Sequence, residues 1–159
     1  MTTSTYVWRR LDLDGLVFVR LDQRANAVSA KGSEICADGD ERWAVRFEVT
    51  LDAGWRHRRT SVEVIDDTGT RQLALESDHG RWTRNGHADP SLAGCTDVDL
   101  AGNPFTNAFV TRRVALPVGA DLEVRAAYVE TAALSVRPLV QRYQRLADDR
   151  WMYADGEYG

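Results

Sequence analysis

The sequence predicts a mainly β protein, in which a curved antiparallel sheet forms an incomplete β-barrel and little helix is present. Three observations carry this prediction: apolar and polar residues alternate in several short segments, turn sequences separate those segments, and helical periodicity is scarce. A chain of 159 residues with 43% hydrophobic residues can bury a core without disulfides or a structural metal. We therefore expect a single domain over residues 1–159.

The predicted strands follow one another along the chain. The clearest is residues 42–52, where every second residue from Trp43 to Leu51 is apolar, as is typical of a strand with one buried face. Asp-Gly and Asn-Gly pairs between the segments are typical of hairpin turns. The full set of predicted strands is residues 6–11, 16–23, 27–31, 42–52, 58–66, 71–77, 92–100, 110–116, 121–130 and 134–145. Residues 140–150 fit a helix and a strand equally well, and we predict a strand.

Composition and charge narrow the class of protein. Lys and Arg total 20 against 24 Asp and Glu, a net charge of −4, so we do not expect a nucleic-acid-binding protein, which usually carries a basic excess. No apolar run is long enough for a signal peptide or a membrane-spanning helix. Cys36 and Cys95 stand far apart without metal-ligand spacing, which indicates two reduced thiols. We therefore expect a cytoplasmic protein.

Motifs for catalysis or cofactor binding are scarce in this chain. The sequence has no Gly-x-Ser-x-Gly elbow and no glycine-rich loop of the kind that binds phosphate. The three histidines, His57, His79 and His87, show no spacing that is typical of metal ligands. We therefore expect no catalytic residue, no metal site and no cofactor.

The most informative segment contains Asp97 and Asp99, two positions apart in a predicted strand. Their side chains therefore point to the same face, with α-carbons about 6.6 Å apart. Two neighbouring carboxylates need a counter-charge, which Arg112 and Arg113 can supply if the chain folds back after Pro104. Two interpretations stay open: a structural network in which Asn107 caps backbone groups, or a polar mouth that fixes the hydroxyls of a ligand.

Two tryptophans are candidate ligand contacts. Trp55 and Trp82 adjoin glycine or turn sequence, where an aromatic ring at the rim of a cavity can stack on a sugar or contact an acyl chain. A packing role in the core is the alternative for both rings. Trp43, in contrast, begins the most regular apolar face, so we predict that it lies in the core.

Five groups of motifs follow one another along the chain. They are Trp55-x-x-Arg58, Gly80-Arg81-Trp82 with Asn85-Gly86, Gly94-Cys95-x-Asp97-Val98-Asp99-Leu100, Pro104-Phe105-Thr106-Asn107 with Arg112-Arg113, and Gln141-x-Tyr143 with Tyr153. In this order they resemble the glycolipid-binding family of bacterial proteins. The match runs over nearly the whole chain, and the central Cys-x-Asp-Val-Asp, Thr-Asn and Arg-Arg motifs are specific.

The resemblance implies both a fold and a ligand. Members of the family have a curved, incompletely closed antiparallel β-barrel with a hydrophobic cavity, similar in shape to the bacterial lipoprotein carriers. The resemblance therefore implies that a lipid or glycolipid binds in this cavity. The ligand contacts that we expect from the motifs and from the residues singled out above are Trp55, Arg58, Trp82, Asp97, Asp99, Asn107, Arg112, Arg113 and Tyr143.

The chain departs from the family pattern at its C-terminus. Family members continue past the tyrosine-containing region with another hairpin, whereas this sequence stops at Gly159. We therefore expect a glycolipid-binding-like domain over residues 1–159 that lacks the C-terminal hairpin and leaves a sheet edge exposed.

The sequence favours a protein that binds a lipid or glycolipid without catalysis, with the acyl part in an apolar cavity and the head group at a polar rim. Two alternatives stay open. Asp97 and Asp99 could form a glycosidase pair, since such carboxylates lie about 5 to 9.5 Å apart, although arginine neighbours would keep both ionised. The domain could also be a structural or interaction module whose interior is filled by its own side chains. The oligomeric state is left open.

Overall fold

The computed structural model describes residues 1–155, and these form twelve β-strands, one 3-10 turn and one α-helix. The strands are β1 (Thr2–Arg9), β2 (Asp14–Gln23), β3 (Ala27–Asp38), β4 (Glu41–Asp52), β5 (His57–Asp66), β6 (Gly69–Asp78), β7 (Arg81–Arg84), β8 (His87–Ala88), β9 (Asp97–Leu100), β10 (Asp121–Glu130), β11 (Ser135–Ala147) and β12 (Arg150–Asp155). The 3-10 turn is Pro90–Leu92, and the helix, α1, is Asn107–Arg113. The protein is mainly β with little helix, as predicted.

The large sheet contains β1 to β8 in sequence order, and all its neighbouring strands are antiparallel. Burial alternates along its strands, as the sequence pattern predicts. In β4, for example, Val45, Phe47 and Val49 are buried, whereas Arg46 and Glu48 are exposed. This period of two gives the sheet one apolar face and one polar face.

The small sheet has the strand order β12, β11, β10, β9. Its first three strands are antiparallel, but β9 pairs with β10 in parallel, which the sequence analysis did not predict. Parallel neighbours need a long crossover connection rather than a tight turn. Residues 101–120, which include α1, make this crossover and place the helix next to β9.

The core packs the apolar face of the large sheet against one face of the small sheet. Phe105 and Phe109 from the α1 segment join this cluster. A second, smaller cluster packs Val110 of α1 against Val124 and Tyr143 of the small sheet. Within residues 1–155 the two sheets share no hydrogen-bonded strand pair, so the barrel is incomplete, as predicted.

A buried polar bridge fixes the segment before α1 to the large sheet. Glu34 is fully buried on β3 and accepts hydrogen bonds from Asn103 Nδ2 at 2.8 Å and from Arg10 Nη1 at 3.5 Å. Burial raises the pKa of Glu34 despite the neighbouring guanidinium. Gly102 has a φ of 68° and passes beside the Arg10 side chain, where a Cβ would collide. The bridge therefore positions the entry to α1.

Two predicted strands differ from the structure. Residues 110–116 were expected to form a strand, but α1 occupies Asn107–Arg113 instead. The adjacent residues Phe109 and Val110 are both buried, whereas neighbouring residues of a strand with one buried face would alternate. Residues 92–100 form a strand only at Asp97–Leu100.

The described chain ends in β12, at one edge of the small sheet. The expected absence of a C-terminal hairpin concerns the end of the chain. Residues 156–159 lie outside the described residues, so this expectation stays a prediction. In the described part of the chain, no helix is long and apolar enough to cross a membrane.

Candidate functional site

Strand β9 carries the two aspartates at the centre of the predicted site. Asp97 and Asp99 are both buried, and their register partners on β10 are Ala126 and Tyr128, so they lie on one face of the small sheet. Each aspartate has its own set of partners. The Asp97 cluster consists of Thr96, Asp97 and Arg113, and the Asp99 cluster consists of Asp99, Thr106, Asn107, Gln141, Tyr143 and Tyr153.

The Asp97 cluster is a buried ion pair. Arg113, the last residue of α1, donates from Nη1 to Asp97 Oδ1 at 2.6 Å and from Nη2 to Oδ2 at 2.7 Å. Thr96 Oγ1 donates to Oδ2 at 2.7 Å. The bidentate bonds raise the pKa of the Arg113 guanidinium. Arg113 is thus the predicted counter-charge of Asp97, and the pair ties the end of α1 to β9.

Arg112, the other expected counter-charge, belongs to neither cluster. Its exposed guanidinium lies over the ring of Trp55, with Cζ 5.8 Å from the ring centroid. Neighbouring residues of a helix point about 100° apart, so Arg112 and Arg113 cannot both face β9. Because Arg112 covers Trp55 and this ring also packs against the core, a sugar could stack on its covered face only by displacing the guanidinium.

An open groove of about 440 Å³ adjoins the Asp97 cluster, and we call it the α1 groove. Its lining includes Arg56, Arg58 and Arg113. Arg58 is the extra residue of a β-bulge between β4 and β5, and its Nη2 donates to Asp52 Oδ2 at 2.9 Å. The predicted contact residues that the structure brings to this region are Trp55, Arg58, Asp97, Arg112 and Arg113.

Trp82 does not lie at a rim, contrary to our expectation, because its side chain is 4% exposed. Its ring stacks on His57 at a centroid distance of 4.8 Å, and its Nε1 donates to the carbonyl of Cys95 at 3.0 Å. Burial lowers the pKa of His57 to about 4, so the imidazole is neutral at neutral pH. Its ring nitrogens lie within hydrogen-bond distance of the Ser77 and Thr60 hydroxyls. Trp82 therefore supports the wall of the α1 groove from behind.

The Asp99 cluster is a buried network, and none of its described members is basic. Thr106 Oγ1 lies 2.5 Å from Asp99 Oδ1, and Gln141 Nε2 donates to Oδ2 at 2.6 Å. The hydroxyl of Tyr153 lies 3.4 Å from the same Oδ2. Burial without a counter-charge raises the pKa of Asp99 to about 6. Asp97 and Asp99, though neighbours on one face, are thus in opposite electrostatic environments.

Tyr143 and Asn107 join the Asp99 cluster through each other. The buried Tyr143 hydroxyl lies 3.0 Å from Asn107 Oδ1 and 3.2 Å from Gln141 Oε1.

Sequence reasoning missed Thr106, Gln141 and Tyr153 as site residues. The available signal was the Gln141-x-Tyr143 spacing, which places both side chains on one face of a strand. For Thr106 the available signal was the Thr106-Asn107 motif of the family resemblance.

A larger open cleft, of about 1260 Å³, lies at the other end of the large sheet. We call it the three-turn cleft, because the turns β3–β4, β5–β6 and β10–β11 border it. The Trp43–Asp66 register pair at this end lies about 25 Å along the strands from the Leu51–His57 pair at the α1 groove. Its lining includes Ile35, Arg42, Trp43, Ala44, Ile65, Arg71, Ala132 and Ala133. Sequence reasoning missed this cleft, since it assigned Trp43 to the core alone.

Known proteins share this sequence pattern and fold. The family model described as "Putative glycolipid-binding" matches residues 5–158. The chain belongs to the glycolipid-binding family. The structure is similar to the crystal structure of a DUF1089 family protein from Pseudomonas aeruginosa, with a TM-score of 0.81 and 31% identity, over 96% of this chain and 82% of that chain. No curated protein matches the sequence.

The family that the motifs predicted is therefore confirmed. In this member of the glycolipid-binding family, the apolar face of the large sheet is occupied by the protein's own core, and the two clefts lie at opposite ends of that sheet. Residues 1–155 contain no group of three His, Cys, Asp or Glu side chains that could hold a metal ion.

Proposed function

We propose that the protein binds a lipid or glycolipid in the three-turn cleft, with the acyl part against the apolar wall and the head group beside Arg42 and Arg71. One observation carries the proposal: an open volume of about 1260 Å³ is lined by two residues that each have a buried hydrogen-bond donor without an acceptor within residues 1–155. An apolar concavity with a few polar groups that orient the ligand is the usual form of a small-molecule site.

The two donors are Trp43 Nε1 and Arg71 Nε. Burying a donor without an acceptor costs about 1–3 kcal/mol. The rest of the Arg71 guanidinium is held in place, since Nη2 donates to Asp66 Oδ2 at 2.6 Å and to the carbonyl of Ala132 at 2.7 Å. A head-group oxygen that accepts from Trp43 and Arg71 would recover the cost and orient the ligand.

The apolar wall suits an acyl chain. Ile35 is 71% exposed, and its register neighbours across β4 and β5 are Ala44 and Ile65, so the three side chains form one row on the outer face of the large sheet. Trp43 and Arg71 belong to the inner face, so a ligand that contacts them and this row bends around the end of the sheet at the turns. Each methylene removed from water contributes about 0.8 kcal/mol, so a chain of eight carbons offers roughly 6 kcal/mol before ordering costs. An acyl chain along this row would cover apolar surface that now faces solvent.

Calorimetric titration with octyl glucoside below its micelle concentration tests the proposal. We expect saturable binding by the wild-type protein and about tenfold weaker binding by Ala133→Trp, because a large side chain at this exposed wall position fills the cleft. Ala25→Trp, at an exposed alanine in the β2–β3 turn, is the matched control and should bind normally. No binding by the wild type, or equal binding by Ala133→Trp, would contradict the proposal.

The role of the unpaired donor is tested separately with Trp43→Phe, which keeps an aromatic ring but removes Nε1. We expect this variant to lose affinity for octyl glucoside by about fivefold and to keep its affinity for octanol, which lacks the sugar. Equal losses for both ligands would mean that Trp43 contributes only apolar contact.

We propose a binding role without catalysis. Both oxygens of Asp97 are engaged by Arg113, and Asp99 is only 7% exposed, whereas the two carboxylates of a glycosidase must both reach the glycosidic bond. We expect no hydrolysis of nitrophenyl glycosides. Hydrolysis that disappears in Asp97→Asn and Asp99→Asn would contradict this proposal.

A further inference from the structure

The acidic side chains around the α1 groove are already paired. Asp52 Oδ2 lies 2.9 Å from Arg58 Nη2, and Asp97 Oδ1 lies 2.6 Å from Arg113 Nη1. Asp78, at the rim, lies 3.7 Å from Arg58 Nη1. Asp78 also lies 3.7 Å from Arg81 Nη2, so the three carboxylates are matched by Arg58, Arg81 and Arg113, and none of these acidic groups lacks a counter-charge in the described chain.

Two further arginines at the groove have no counter-charge. Arg56 lines the groove, and Arg112 lies over the ring of the adjacent Trp55. Within residues 1–155 neither guanidinium forms an ion pair, and both side chains are exposed. Arg113 Nη1 lies 3.5 Å from the Trp55 carbonyl, which connects Trp55 to the groove wall. The groove therefore carries an excess of positive charge with planar donor groups.

The backbone around these arginines departs from regular strand geometry. Trp55 has a φ of 62°, a left-handed conformation that costs a residue with a side chain about 1 kcal/mol or more. Asp52 Oδ1 holds the loop in this conformation by accepting from the backbone N–H groups of Gly54 at 2.9 Å and Arg56 at 3.0 Å. The bulge at Arg58 follows directly, and bulges re-aim side chains next to functional sites.

We infer that the α1 groove is a second ligand site, which binds an oxyanion, such as a phosphate or carboxylate group, between Arg56 and Arg112. Guanidinium groups recognise such oxygens through parallel N–H donors. Arg56 lines the groove itself, and Arg112 is held over the ring of Trp55, whose carbonyl lies 3.5 Å from the groove-lining Arg113. The volume of about 440 Å³ holds a small polar ligand such as a sugar phosphate. The site is independent of the three-turn cleft, from which it is separated by about 25 Å.

Nuclear magnetic resonance titrations at constant ionic strength test this inference on the full chain. The reporters are the Trp55 indole N–H and the arginine Nε–H signals, and the probes are inorganic phosphate, glucose 1-phosphate, glucose and sodium chloride. We expect saturable shifts with the two phosphates and none with glucose or chloride. Equal affinity for the two phosphates would show that the site recognises the free anion alone. Tighter binding of glucose 1-phosphate would show that it recognises a phosphate group attached to a sugar.

Variants localise the effect. Arg56→Gln combined with Arg112→Gln should weaken phosphate binding at least tenfold, whereas Arg24→Gln, at an exposed arginine in the β2–β3 turn, should leave it unchanged. All three positions are exposed, so the unfolding midpoints should stay close to that of the wild type. Shifts that are equally large with chloride, or unchanged in the double variant, would overturn the inference. Octyl glucoside binding by the double variant separates a failure here from a failure of the three-turn cleft.

Discussion

At the scale of single residues, the pKa of Asp99 is raised by burial although Thr106 donates to its carboxylate. The Thr106 hydroxyl lies 2.5 Å from Asp99 Oδ1 and 2.9 Å from the Asn103 carbonyl, and both oxygens are acceptors when Asp99 is ionised. One hydroxyl carries one proton, so it can satisfy only one of them. The hydrogen bonds from Thr106 and Gln141 therefore offset the cost of burying the Asp99 carboxylate only in part, and its pKa is raised to about 6.

Asp99→Asn should reduce the pH dependence of stability. Because the folded-state pKa of about 6 exceeds the ordinary value of 3.8, the folded protein binds the proton more tightly, and stability is lost as the pH rises through this window. The wild type should lose about 2 kcal/mol between pH 4 and pH 7 that the variant does not lose. Urea unfolding at several pH values measures this difference. Asp121→Asn, on the same sheet but exposed, is the control, and identical pH profiles for wild type and Asp99→Asn would refute the expectation.

Gly32 is a second residue whose identity has a specific cause. It is buried on β3, and a Cβ at this position would fall on the ring of Phe47 in the neighbouring strand β4. Gly32→Ala should therefore lower the free energy of unfolding by about 1–3 kcal/mol through overpacking. Ser33→Ala, at the exposed neighbouring position, should change it by less than about 0.5 kcal/mol. Denaturant unfolding of both variants decides the matter, and equal stabilities would show that Phe47 moves without cost.

The roles of single residues were the least predictable part of the site. Trp82 and Trp55 both adjoin turn sequence, but Trp82 is buried against His57 and Trp55 is covered by Arg112. The local sequence indicates that a ring is near a turn, not which elements later pack over it. The Asp97–Arg113 pair was predictable, because a buried carboxylate needs a counter-charge and a chain reversal can bring an arginine to it.

At the scale of elements, α1 depends on its surroundings. A helix of seven residues is not stable alone, so its formation depends on packing. Phe109 packs into the large core and Val110 into the smaller cluster, while Arg113 binds Asp97. This dependence explains why a strand was predicted for residues 110–116: the local pattern fits both forms, and tertiary contacts select the helix.

Arg113→Gln should therefore destabilise the protein much more than Arg112→Gln. Removing Arg113 leaves the buried Asp97 carboxylate without its counter-charge, which costs roughly 3 kcal/mol or more. Arg112 is exposed, and its loss should cost less than about 1 kcal/mol. Thermal and urea unfolding of the two neighbouring variants test this, and Arg113→Gln combined with Asp97→Asn should recover part of the loss. Equal effects of the two single variants would show that the ion pair does not hold α1.

The strands themselves were predictable where one face is buried. In β4 the alternation of Val45, Phe47 and Val49 with charged residues identifies both the strand and its inner face. The parallel direction of β9 was not predictable, because Asp97–Leu100 alternates polar and apolar residues, as is typical of antiparallel strands, although all four residues are buried.

At the scale of the whole molecule, the position of open volume differs from the expectation. The family resemblance implied a cavity inside the curve of the sheet, but α1 and the small sheet fill that space with side chains such as Phe105, Phe109 and Leu100. The larger open cleft, of about 1260 Å³, lies at the three turns instead. The position of such a cleft depends on how separate elements pack together. The sequence of a single element does not contain that information.

The topology of the large sheet also sets an order of events during folding. Its strands β1 to β8 pair with their neighbours in sequence, so their contacts are local, whereas β9 pairs with β10 only after the crossover through α1 has closed. We expect Val45→Ala in the large sheet to slow folding, and Leu100→Ala in β9 to leave the folding rate nearly unchanged and to accelerate unfolding. Stopped-flow measurements over a range of urea concentrations separate the two rates. The small sheet would then be the part that opens first in the folded protein. The segment that contains Asp97, Asp99 and α1 would therefore exchange its amide hydrogens faster than the strands of the large sheet.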